Sequence, residues 1–170
     1  MVQLRAAEDC QPELLLRHRR VAARLTQRWP GLRVEPIGAS ALPGAWSKAD
    51  LDVLALVPLH ELEAAREVLV ACGYVEKTGT LRTPALCMLE WQGAADAHAV
   101  QLVAAGSVHE ATFLGFRDRL RAEPELVEAY NAVKQAAAAL QDPEYRARKQ
   151  RFIEAVLAGA DAATAAKAGH

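Results

Sequence analysis

A chain of 170 residues is long enough for one domain with a real hydrophobic core, and 52% of its residues are hydrophobic. A charged fraction of 24% and a formal net charge of −1 offer no global attraction for nucleic acid or an anionic membrane. Cys10, Cys72 and Cys87 are odd in number and form no CxxC pair, which argues against a disulfide framework or structural zinc and suits a reducing cytoplasm. Neither a signal peptide nor an apolar run of membrane-spanning length is expected.

Taken in order, residues 12–29 repeat apolar side chains at helical spacing (Leu14, Leu15, Val21, Ala22, Leu25, Trp29), start near Asp9 or Gln11, and stop at Pro30-Gly31. A strand is predicted at Leu32–Ile37, followed by a segment of small residues from Gly38 to Ala49. The run DLDVLALV, residues 50–57, alternates and then turns wholly apolar, as a strand near a sheet centre does. The stretch HELEAAREVLVACG reads as an amphipathic helix ending at Gly73. Strands are predicted at Tyr74–Thr78, Leu86–Gln92 and His98–Val103, with hairpin turns at Gly79 and Gly93-Ala94-Ala95.

From Ser107 onward the pattern is helical. Ser107 and Glu110 have capping-box spacing, and Pro124 and Pro143 suit first turns. The expected architecture is α+β: a small mixed sheet with helices on one side and a C-terminal helical unit. Residues 1–158 are read as one domain (1–104 helix and sheet, 105–158 helices), and 159–170 as a loose tail.

The chemistry concentrates in GASALPGAWSKADLDV, residues 38–53. Two apart on a strand, Asp50 and Asp52 should leave the same face while Leu51 and Val53 point inward. Adjacent carboxylates repel unless a cation sits between them, and oxygen-only ligands favour Mg²⁺, or Mn²⁺, with substrate phosphates completing the shell. The small residues Gly38, Ala39 and Ser40 allow backbone N–H groups to approach a phosphate, with Lys48 as a further cation. Trp46 and Trp91 offer flat faces for a base, with core packing as the alternative.

A glycine-serine turn, a spacer and D-x-D in a strand resemble the nucleotidyltransferase signature. VEPIGASALPGAWSKADLDV is similar to V-E-H-I-G-S-T-A-V-P-G-L-x-x-K-P-x-x-D-I of the GrpB family. FRDRLRAEPELVEAYNAVK, residues 116–134, resembles that family's F-R-D-Y-L-R-x-x-P-E-x-x-x-x-Y-x-x-L-K, and YRARKQRFIEAVL, residues 145–157, its Y-x-x-x-K-x-x-F-I-x-x-x-L. The resemblance implies a nucleotidyltransferase-type sheet, with Asp52 at the family's aspartate and Arg117, Asp118, Lys134 and Lys149 at motif positions. Asp50 stands where the family is usually apolar, and the family's H-x-H falls on Ala99 and Gln101.

The superfamily's third carboxylate would come from a later strand, with Asp96 or Glu90 as candidates. His98, two residues after Asp96, is either its acid–base partner or a buried histidine with satisfied hydrogen bonds. The resulting expectation is a nucleotidyltransferase moving a nucleoside monophosphate from an NTP to an acceptor the sequence does not name. In it Asp50, Asp52 and Asp96 hold metal, and Gly38, Ala39, Ser40, Lys48, Arg117 and Lys149 hold the nucleotide. The alternatives are a non-catalytic nucleotide- or metabolite-binding module and an interaction protein.

Overall fold

The computed structural model describes residues 3–93 and 96–170; the expected turn residues Ala94 and Ala95 lie outside them. Helix α1 (Ala7–Arg28) begins earlier than the pattern suggested and carries Pro12 inside it. Strands β1 (Arg33–Ile37) and β2 (Leu51–Val57) pair antiparallel, with Ile37 opposite Asp52. Helix α2 (Leu62–Ala71) follows, then β3 (Val75–Glu76), β4 (Leu86–Trp91) and β5 (His98–Ala104). The strand order is β1-β2-β5-β4-β3, parallel only where β2 meets β5.

The central position of β2 accounts for its composition. Flanked on both edges, it buries Leu51 and the whole run Val53–Val57. Only two residues of the expected Tyr74–Thr78 strand pair as strand. Tyr74 N–H still bonds back to Leu69 O at the end of α2, and the chain turns away after Lys77, whose N–H reaches Met88 O.

Four helices complete the chain: α3 (Val108–Ala122), α4 (Pro124–Ala137), α5 (Asp142–Leu157) and α6 (Ala162–Ala168). Ser107 Oγ accepts from Glu110 N–H at 3.4 Å, while the Glu110 carboxylate accepts from Gly106 N–H at 2.7 Å, one residue outside the expected box. Pro124 and Pro143 occupy first turns, where a missing N–H costs nothing.

The terminal residues are not a loose tail. Asp161 caps α6 by accepting from Thr164 N–H at 2.8 Å, and Ala165 is fully buried. At the other end, Gly169 lies so close to Val133 that a side chain there would collide with it. An alanine-rich helix that short is unstable alone and forms because α4 and α5 receive it.

The chain divides into two compact units. The sheet unit holds Pro12–Gly38 and Asp50–Phe113; the helical unit holds Leu114–His170, Ala39–Ala49 and the N-terminal residues through Gln11. The helical unit's core is Leu42, Ala45, Phe116, Leu120, Tyr130 and Phe152 with their neighbours, with the rings of Tyr130 and Phe152 stacked 5.1 Å apart.

Candidate functional site

In the sheet unit, the β1–β2 register sets Ile37 beside Asp52, and Gly38 follows in the left-handed region at φ +69°. A Cβ on Gly38 would lie 2.9 Å from Asp52 Oδ2. Glycine is thus required twice, by the backbone angle and by the carboxylate beside it. The space beside the Asp52 carboxylate is left open by the missing side chain of Gly38, and the short 3₁₀ turn Ala39–Ala41, with Ser40 buried, comes next in the chain.

Asp52 is half-buried on β2 and shares a sheet face with Ala99, its register partner on β5. Asp50 is exposed and lies one residue before the strand, so the ladder does not hold it in alternation. The chain reaches it through Ala49, which takes a left-handed φ of +62° and whose N–H is bound to Ser47 Oγ at 3.0 Å. A non-glycine residue costs about 1–2 kcal/mol in that region. The bend is therefore imposed by its surroundings.

Asp96 does not join this face. Arg20 Nη2 donates to its Oδ1 at 2.7 Å and Arg24 Nη2 to its Oδ2 at 3.2 Å, and these cations hold its carboxyl below the usual range. His98, two residues on, is paired with Leu51 and so lies on the sheet face opposite Asp52. As a metal ligand Asp96 is set aside: its charge is already neutralised by α1. Glu90 has the parity of Asp52 but lies two strands away across Ala99, about 9.6 Å by strand spacing, and takes a hydrogen bond from Lys77 Nζ. Gln101 pairs with Leu54, one step further along that face. Among the described residues no group of three or more His, Cys, Asp or Glu side chains is placed to hold a metal ion.

His98 is the buried, satisfied histidine. Its Nδ1–H donates to Asp96 O at 2.5 Å and its Nε2 accepts from Tyr74 Oη at 3.0 Å, and burial lowers its pKa. Cys10 and Cys87 are buried and Cys72 is half-buried, none of them in a disulfide; burial pushes Cys87 up to about 11.

The helical unit gathers the motif lysines and tyrosines. Lys48 Nζ lies 4.7 Å from the centre of the Tyr145 ring and Lys149 Nζ 5.4 Å from the same ring. Lys134, only 2% exposed, donates to Trp46 O and lies 4.3 Å from the Tyr130 ring. Its burial and the positive charge of Lys149 bring its pKa down to about 7. Arg117 is buried, with Nε 2.7 Å from Asp118 Oδ1, and Arg121 Nε donates to Ala41 O at 3.0 Å.

Sequence reasoning passed over Asn131, whose amide grips the 39–49 segment twice. It donates to Gly44 O at 2.9 Å and accepts from Trp46 N–H at 2.8 Å. Its place one residue after Tyr130 and one helical turn before Lys134 is the signal that was available.

A family model described as GrpB protein matches residues 6–158. A UPF0157 protein of Vibrio cholerae is 43% identical over 156 residues, spanning 92% of this chain and 82% of its own. A UPF0157 protein of Deinococcus radiodurans is 34% identical over 131 residues, spanning 75% and 67%. Among solved structures, the conserved protein GrpB from Enterococcus faecalis aligns with a TM-score of 0.73 at 21% identity, over 97% of this chain and 98% of its own. The Cid1 poly(U) polymerase, in a structure with MgGTP bound, aligns with a TM-score of 0.55 at 14% identity, over 79% of this chain and 44% of its own. The α+β fold is nucleotidyltransferase-like. Among the described residues no helix is long and apolar enough to cross a membrane.

Proposed function

The chain belongs to the GrpB family, and on that premise we propose that it is a Mg²⁺-dependent nucleotidyltransferase moving a nucleoside monophosphate from an NTP to an acceptor. The observation that carries the proposal is the approach of Gly38 to Asp52, where a side chain of any size would fill the space beside the carboxylate. Asp52 and Asp50 offer oxygen ligands of the kind a hard divalent cation takes. Bound there, Mg²⁺ or Mn²⁺ would supply positive charge to an attacked phosphate and to the leaving pyrophosphate.

The chain's own part is placement. Asp52 fixes the position, Gly38 leaves room, and the amides of Gly38, Ala39 and Ser40 suit phosphate oxygens. Lys48, Arg117 and Lys149 are the proposed cationic contacts for the donor's phosphates. Cysteines outside any disulfide fit a cytoplasmic setting.

A second reading, a module that binds nucleotide without turning it over, is favoured by the fates of Asp96 and Glu90, both engaged by cations of the sheet unit. One experiment serves both. Mg²⁺ or Mn²⁺ with an NTP should raise the melting temperature, by about 2.7 kcal/mol of stabilisation at a hundredfold excess over Kd. Asp52→Asn should abolish that gain in a variant that remains folded, because it removes a charged oxygen ligand. Asp50→Asn should do the same if the pair acts as a unit. Release of pyrophosphate by the wild type selects the enzyme; stabilisation without release selects the module. Unchanged shifts in both variants would remove the site.

A further inference from the structure

On the sheet face opposite Asp52, α1 presents Arg20, Arg24 and Arg28 at four-residue steps, so their Cα atoms follow one another about 6 Å apart along one side of the helix. With Gln27, Tyr74 and Trp91 they line a cleft of about 780 Å³, a size that suits a small organic ligand. Trp91 pairs with His98, and His98 with Leu51, which places the indole on the side of the sheet away from Asp52.

The cleft is built from both chemistries that a phosphorylated ring needs. The Arg24 guanidinium lies over the Trp91 indole at 5.3 Å, and the Tyr74 ring centre is 5.3 Å from that of Trp91. Two glycines make room for the indole: a Cβ on Gly93 would come within 2.4 Å of Trp91 Nε1, and one on Gly73 within 3.0 Å of Cζ3. Asp96 is one carboxylate shared between Arg20 and Arg24, and Arg28 stands exposed at the helix end. The Arg24 guanidinium also faces the Tyr74 hydroxyl, and its positive charge favours the ionised phenol against the burial that raises its pKa. Guanidinium groups in a row favour an anionic oxygen, which they bind with charge-assisted hydrogen bonds.

We propose that this cleft binds a nucleoside monophosphate unit, its phosphate against Arg20, Arg24 and Arg28 and its planar ring against Trp91, which the buried Tyr74 ring backs. The unit is either a free nucleotide or the 5′-phosphorylated end of a strand. The site is separate from Asp52 and needs no metal.

The test is calorimetric titration of the full chain with AMP in EDTA, followed in parallel by tryptophan fluorescence. Saturable binding is expected, with Asp52→Asn indistinguishable from wild type. Arg28→Glu, at an exposed position and in a variant that remains folded by circular dichroism, should weaken AMP by about tenfold or more, a difference of about 1.4 kcal/mol. Adenosine and inorganic phosphate, each carrying half of the ligand, should bind more weakly than AMP. A short 5′-phosphorylated RNA that binds more tightly than AMP identifies the strand end as the source; one that binds no better identifies the free nucleotide. Absence of binding by both probes in EDTA overturns the proposal. So does AMP binding that Asp52→Asn abolishes and Arg28→Glu leaves intact, a result that would leave the metal site standing.

Discussion

In the sheet unit two buried ionisable groups are matched: Asp96 meets two arginines, and each ring nitrogen of His98 has a partner. The helical unit instead buries Lys134 against a backbone carbonyl and a tyrosine face, with Lys149 nearby raising the cost of its charge. An ion pair keeps a buried charge charged, whereas a lysine held this way gives up its proton near neutrality. The two units therefore should respond differently to mutation and to pH.

The largest effect is expected in the helical core. Phe152 is fully buried, stacked on Tyr130 and edge-on to Phe116 at 6.5 Å. Phe152→Ala should cost about 3–5 kcal/mol in urea denaturation. A loss below about 1 kcal/mol would show that the ring cluster packs loosely.

Lys134 sharpens the contrast through pH. Folding lowers its pKa from 10.5 to about 7, so between those values the unfolded chain holds a proton that the folded chain does not. Stability should rise with pH across that window, by up to about 1.4 kcal/mol per unit. Lys134→Met should flatten the rise, as read from urea midpoints between pH 7 and 10. In the sheet unit His98 is the comparable group: its depressed pKa means that stability falls as acid protonates the unfolded chain below its ordinary 6.5. If Lys134→Met retains the wild-type slope, the amine is charged in the folded state and the contrast fails.

Gly38→Val tests the sheet unit's candidate site. It should weaken Mg²⁺-NTP binding by about 2 kcal/mol or more, because it fills the space beside Asp52 and strains a left-handed backbone. Equal affinity in a folded variant, by calorimetry, would end the phosphate-facing reading of the turn. The smallest effect belongs to the chain end. A chain stopping at Ala160 loses α6 and should melt lower by about 4 °C, the shift that roughly 1 kcal/mol produces in a protein of this size. No change would restore the terminal residues to a dispensable tail.

What could be read in advance was what repeats locally. The apolar run of β2, the carboxylates placed two apart, the glycine of the turn after β1 and the prolines that open α4 and α5 each carry their signal within a few residues. Alternation of period two and helical spacing are properties of the backbone itself, so a single sequence displays them. The motif resemblance extended this to Asp52, Lys134 and Lys149 as positions, without their surroundings.

Tertiary structure alone decided which charges are engaged. Asp96 looked as eligible as any carboxylate until arginines 76 and 72 residues away closed on it. Asp50 and Asp52 share a pattern, yet only Asp52 lies within the strand, because Ala49 bends the chain just before Asp50. The terminal alanines became α6 only because α4 and α5 supply a surface, a stabilisation that no helix propensity contains. Lys134 carries no local mark of being buried; its amine is enclosed because α4 turns it toward Trp46. Local periodicity places a side chain on a face, but what meets it there comes from elsewhere in the chain.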